Sequence, residues 1–154
     1  MHGKFICHKD FSLLKPIDVF HKEHEKKSLT KIDEKYKNRH ILFRKKFALD
    51  SFKTAVINIT ADDYFKLYIN GKFVMQGPPP SYPNAYLYMQ KDVSEYLRSG
   101  ENVIAVHTYY QGLINRVWVS GDMRESFRCE LLVDGKVQVS RDESWKCSDH
   151  TAYS

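Results

Sequence analysis

A chain of 154 residues, 42% of them hydrophobic, is long enough for one domain with a core of its own, so folding requires neither a metal nor a disulfide. Its three cysteines, Cys7, Cys129 and Cys147, are odd in number and lack CxxC spacing, which reads as reduced thiols of a cytosolic protein. The formal net charge of +5 invites nucleic acid as a partner, but no run approaches membrane-spanning length, and the opening "MHGKFICHKD" lacks the basic-then-apolar order of a secretory leader.

Residues 1–40 combine one short apolar segment, "FSLLKPIDVF", with the charged stretch "HKEHEKKSLTKIDEKYKNRH". Neither builds a core alone, and the span reads as an N-terminal extension. In the charged stretch Glu23, Glu25, Asp33 and Glu34 interleave with the lysines and there is a single aromatic, the pattern of a solvated segment rather than a nucleic-acid surface. Its "HKEHE" is neither HExxH nor HxxEH, so no metal site is expected there.

Residues 41–154 read as the folded domain. Nine strand-like runs follow one another: "ILFRKKFAL", "TAVINITA", "YFKLYIN", "KFVMQ", "YLYM", "NVIAVHTYY", "RVWVS", "RCELLVD" and "KVQVS". Short strands with turn signals between them, in a chain with 14% aromatics, point to a sandwich or barrel. Phe65, Leu67 and Ile69 alternate with Tyr64, Lys66 and Tyr68, and Asn70-Gly71 supplies the positive φ angles of a type I′ turn. A two-residue loop there sets Ile69 opposite Lys72 and Leu67 opposite Val74. Asp134-Gly135 repeats the signal further on. "DVSEYLRSG" is the one helical turn, with Asp92 as its cap, Glu95 at the capping-box position and Gly100 as its exit.

Between the strands, "GPPPSYP" is too rich in proline to continue a central strand and forms a stiff loop. It either presents Tyr82 to a sugar at little entropic cost or only leads one strand to the next. Trp118 faces the same choice between a surface groove and the core, while Trp145 belongs to the core or to an interface. Tyr82, Trp118 and Tyr68 are the candidate carbohydrate-binding residues. No catalytic set emerges: there is no Gly-rich phosphate loop and no GxSxG elbow, and the sequon at Asn58 lies in a strand. His107 reads as a packed strand residue, although spacing alone leaves pairing with a cysteine open. Asp62 and Asp63 are neighbours at a strand entrance, where they would solvate or cap it, rather than carboxylates facing across a substrate.

The strings "ITADDYFKLYINGKFVMQGPPPSYP", "YLYMQKDVSEYLRSGENVIAVHTYYQG" and "DESWKC", spanning about Phe43 to Cys147, together resemble the N-terminal β-sandwich domain of bacterial α-L-rhamnosidases. The resemblance implies an all-β, antiparallel, jelly-roll-like sandwich of the galactose-binding-like kind. In that family acidic residues of a large α/α barrel further along the chain do the cleavage, so no catalytic residue carries over, and no cofactor is implied. The implied role is recognition of a rhamnose-containing glycan or docking to the barrel. A stand-alone sugar-binding module and a purely structural docking domain are the alternatives. If Ser154 falls inside or just short of the last strand, an open edge and an uncovered patch centred on Trp145 would favour self-association.

Overall fold

In the computed structural model the described residues are 5–14, 33–81, 86–112, 125–140 and 142–153. They form two antiparallel sheets: β1 (Arg39–Leu49), β2 (Ala55–Asp62), β3 (Tyr64–Ile69), β4 (Lys72–Gly77), β5 (Met89–Asp92), β6 (Gly100–Tyr110), β7 (Ser126–Val133), β8 (Lys136–Val139) and β9 (Lys146–Asp149). One sheet runs β4-β3-β6-β1-β9 and the other β5-β2-β7-β8. At the centre of the first, β1 and β6 pair along their whole length, from Arg39 opposite Tyr110 to Leu49 opposite Gly100.

Alternation dictates the layers. Ile41 and Phe43 of β1, Leu67 and Ile69 of β3, and Ile104 and Val106 of β6 turn inward to meet Ile57, Ile59, Phe127 and Leu131 of the other sheet. The rings of Phe43 and Phe127 meet across the sandwich at 4.6 Å. Lys45 breaks the rhythm, since it takes an inward position. Its ammonium donates to the Asp142 carboxylate, a hydrogen bond that, with Ser144, holds the Asp142 carboxyl down at about 2. The N-terminal residues join this core: Ile6 bridges Phe127 through two backbone hydrogen bonds, and Phe11, at the helical turn Lys9–Ser12, packs edge-on to Tyr36 and Tyr110.

Both hairpin turns have the expected conformation, with φ of 51° and 80° at Asn70-Gly71 and 47° and 77° at Asp134-Gly135. The register of the first departs from expectation beyond the turn. Ile69 faces Lys72, but Leu67 faces Met75, because Val74 is the extra residue of a bulge. Both Val74 and Met75 are buried, so the bulge serves to turn two consecutive apolar side chains inward. The turn after Asp92 is a 3-10 helix, Ser94–Tyr96, anchored by the Asp92 carboxylate on the Ser94 N–H and hydroxyl. Gly100 leaves it at φ 89°.

Two further expectations change, and one falls outside what the structure describes. The run "YLYM" reaches strand geometry only at Met89, and β5 continues to Asp92. "RVWVS" lies outside the described residues. Trp145 is buried, edge-on to Phe127 at 5.1 Å, and its indole N–H donates to the Ser140 carbonyl at 3.0 Å, so it is no centre of an exposed patch. The strand beside it, β9, pairs with β1 from Ile41 to Arg44 as a short, wholly exposed edge that carries Lys146 and Asp149.

Candidate functional site

If the inward positions of the five-stranded sheet build the core, the alternate positions build its outer face. These are His40, Leu42 and Arg44 on β1, Tyr64, Lys66 and Tyr68 on β3, Ala105, His107 and Tyr109 on β6, and Lys146 and Ser148 on β9. Over this face lies a hollow of about 700 Å³, within the range of roughly 300–1,000 Å³ usual for small-molecule sites. Its floor is Tyr64, Lys66, His107, Tyr109 and His40. Gln76, Gly77, Pro78, Pro79 and Met89 form the wall. Gly77 leaves room there for the thioether of Met89, which reaches over from the edge of the other sheet and would have to shift if a Cβ were present.

Register brings the floor together. Tyr109 stands directly opposite His40 on one side and Tyr64 on the other. The three rings form a row, His40 stacked on Tyr109 at 4.5 Å and Tyr109 beside Tyr64 at 6.2 Å, with planes 23° and 20° apart. The Tyr109 hydroxyl donates to the Asn38 side-chain oxygen at 2.9 Å, which fixes its ring. Burial, then the nearby Asp63 carboxylate, raises both phenols above their ordinary value, so Tyr64 and Tyr109 stay neutral hydrogen-bonding groups.

The imidazoles extend the row. His40 Nδ1 and His107 Nε2 lie 2.9 Å apart, and the ring centroids lie 5.1 Å apart, close to the greatest separation that this nitrogen distance and the two ring radii allow. The nitrogens therefore face each other nearly head-on, one donating and the other accepting, as two neutral rings allow. His150 tilts against His107 at 5.2 Å. Burial, helped by the charges of His40, His150 and Lys66, lowers His107 to about 4, and burial with His150 and Lys66 lowers His40.

A second hollow of about 550 Å³ continues the first across β1 towards β9. Lys66 and His107 line both. Tyr68 lies in this second one, half-buried and edge-on to Phe73 at 5.7 Å, and not with the ring row. Tyr82 and Trp118 lie outside the described residues, although the proline wall that leads to Tyr82 borders the first hollow. The row Tyr64, Tyr109 and His40 went unread in the sequence. Its signal was a shared phase, each residue being one step out of register with a buried neighbour.

His107 is a half-buried member of this surface, not a residue of the interior. Cys129 is buried with its thiol pushed up to about 12, which leaves no thiolate to attack. Cys147 borders the second hollow, and burial raises its thiol as well. Asp62 and Asp63 do not solvate a strand entrance. The Tyr86 hydroxyl donates to buried Asp62 at 2.7 Å, and the Gln111 N–H donates to Asp63 at 2.8 Å. Among the described residues one group has metal-ligand spacing, His8, Asp10 and Asp149. The Arg39 guanidinium already bridges its two carboxylates, at 3.0 and 2.5 Å.

No protein-family model and no curated protein matches this chain. Solved structures do. A GH78 family rhamnosidase of Bacillus sp. GL1 is 32% identical over 73% of this chain, with a TM-score of 0.68. An α-L-rhamnosidase of Aspergillus terreus is 29% identical over 78%, with a TM-score of 0.60. The matched parts are 12% and 15% of those enzymes. A Pleurotus ostreatus lectin, solved in complex with GalNAc, shares the fold at 20% identity and a TM-score of 0.51, over 72% of this chain and 31% of its own. The two-sheet sandwich thus corresponds to a small accessory part of α-L-rhamnosidases, fungal as well as bacterial.

Proposed function

We propose that this chain is a non-catalytic domain of an α-L-rhamnosidase-type glycoside hydrolase, and that its ring-lined hollow holds a sugar unit of the glycan. The observation that carries the reading is the row Tyr64, Tyr109 and His40 beside Lys66, His107 and Gln76. Pyranose sugars present apolar C–H patches and a ring of hydroxyls. Aromatic rings meet the first, and neutral imidazole, amide, phenol and ammonium groups meet the second. The identity to segments of two rhamnosidases supports the enzyme class of the parent, and with it a rhamnose-containing glycan as ligand. Cleavage falls to a catalytic barrel elsewhere in that parent.

Calorimetric titration with L-rhamnose and rhamnose-containing oligosaccharides tests the binding. Tyr109→Ala should lower affinity about tenfold or more, with the fold retained. Affinity unchanged by Tyr109→Ala and by Tyr64→Ala would remove the hollow from the reading. The purified chain should leave an aryl α-L-rhamnoside intact. Turnover that follows the chain through purification and disappears on replacing one of its acidic residues would overturn the non-catalytic role.

A further inference from the structure

The second hollow is unusual in its charge. Arg44, Lys66, Lys146, His107 and His150 line it, and no carboxylate of the described residues does. Arg44 stands directly opposite Lys146 on β9, two cations face to face, while Lys66 stands opposite the neutral imidazole of His107 on β6. Like charges facing each other across a sheet destabilise it. Elsewhere on the molecule opposite charges meet, as in Lys46 with Glu101, Lys37 with Glu34 and Arg39 with Asp10 and Asp149. Arg44, Lys66 and Lys146 make no ion pair with a described residue. The Ser148 hydroxyl and Tyr68 complete the lining with neutral donors.

An uncompensated cluster of guanidinium and ammonium groups in a hollow is complementary to an anion, and Arg44 is suited to a planar carboxylate. Because Lys66 and His107 border both hollows, an occupant of one continues into the other. We infer that the second hollow binds the acidic group of an anionic glycan, a uronate carboxylate in particular, whose neighbouring sugar lies over the ring row. This assignment rests on the sugar-binding reading above and narrows it from neutral to acidic glycans.

The test compares an oligosaccharide of alternating L-rhamnose and D-galacturonate with its carboxyl-reduced form and with sodium sulfate, by calorimetry. The acidic form should bind about tenfold tighter than the reduced one at low salt. That preference should shrink as ionic strength passes about 0.1 M, where the screening length falls to roughly 10 Å. Arg44→Gln combined with Lys146→Gln should erase the preference, with a melting midpoint no lower than that of the parent chain because a repulsion is removed. Equal affinity for both forms overturns the anion site and leaves the sugar reading standing. Binding of neither form overturns both. Sulfate held as tightly as the acidic oligosaccharide would make this a simple anion site and overturn the glycan assignment.

Discussion

Glu125 enters the sandwich beside β7 with 1% of its surface exposed. One carboxylate oxygen accepts from the Thr108 hydroxyl at 2.7 Å, and the other has no hydrogen-bond partner among the described residues. Burial therefore raises its pKa from 4.5 to about 7, against the weaker pull of Thr108, the His8 backbone and Arg39. For an acid the sign follows directly. The folded chain holds this proton more tightly than the unfolded one, so the contribution of Glu125 is most favourable below about 4.5 and is lost as pH rises, levelling off above about 7. The difference of about 7 − 4.5, or 2.5 pH units, corresponds to about 3 kcal/mol. Glu125→Gln keeps the shape and removes the titration. Urea unfolding of both chains between pH 4.5 and 8.5 should give curves that diverge by about 3 kcal/mol, the variant being the more stable at the alkaline end. Parallel curves across that range would refute the argument, because they would mean that the carboxylate is solvated in the folded state.

Gly71→Val should cost about 1–3 kcal/mol, through backbone strain alone, since φ is 80° and a Cβ there meets nothing within 4 Å. Lys72→Ala beside it should change stability by less than about 0.5 kcal/mol in the same unfolding assay. Asp142→Asn leaves the Lys45 ammonium without its carboxylate. Since Asp142 is half exposed, the loss should be about 1–2 kcal/mol, below the 3–5 kcal/mol of fully buried pairs. Because Asp142 titrates low, its contribution is present above about 4 and disappears as pH falls towards about 2, so acid unfolding of the variant should lack that component. Trp145→Ala should cost about 3–5 kcal/mol by calorimetric melting. Trp145→Phe, which keeps most of the packing on Phe127 and loses the hydrogen bond to Ser140, should cost about 1–2 kcal/mol.

What could be read from the sequence was whatever local stereochemistry decides. Asn70-Gly71 and Asp134-Gly135 announce their turns because few other dipeptides tolerate two consecutive positive φ values. The bulge at Val74 is silent, because Val74 and Met75 are both apolar and alternation cannot say which is the insertion. Strand β9 was hidden by being short, polar and exposed on every residue, and it depends on β1 for its existence. Alternation from Ile41 and Phe43 puts Lys45 on the inward side of β1, but nothing in "ILFRKKFAL" names its distant partner Asp142. The ring row is a matter of pairing: Tyr64, Tyr109 and His40 come from three separate runs, and only the β3-β6-β1 register places them side by side. A tyrosine in a strand is compatible with either face, so composition alone could not select Tyr64 and Tyr109 from the ten tyrosines in the chain, nor His40 from its seven histidines.

The full-length pairing of β1 with β6 has a temporal consequence. Hairpin partners such as β3 and β4 can meet as soon as both have left the ribosome, but β1 is made first and its neighbours β6 and β9 come much later. At roughly 5–20 residues per second, β1 waits several seconds with Ile41 and Phe43 exposed to water and its amides unpaired. Contacts this distant in sequence also slow refolding into the millisecond-to-second range typical of all-β domains. A circular permutation that moves β1 to follow β9, with its N-terminal segment as the connecting linker, would let the five-stranded sheet assemble around strands already in place, and should shorten that exposed interval without altering the final structure.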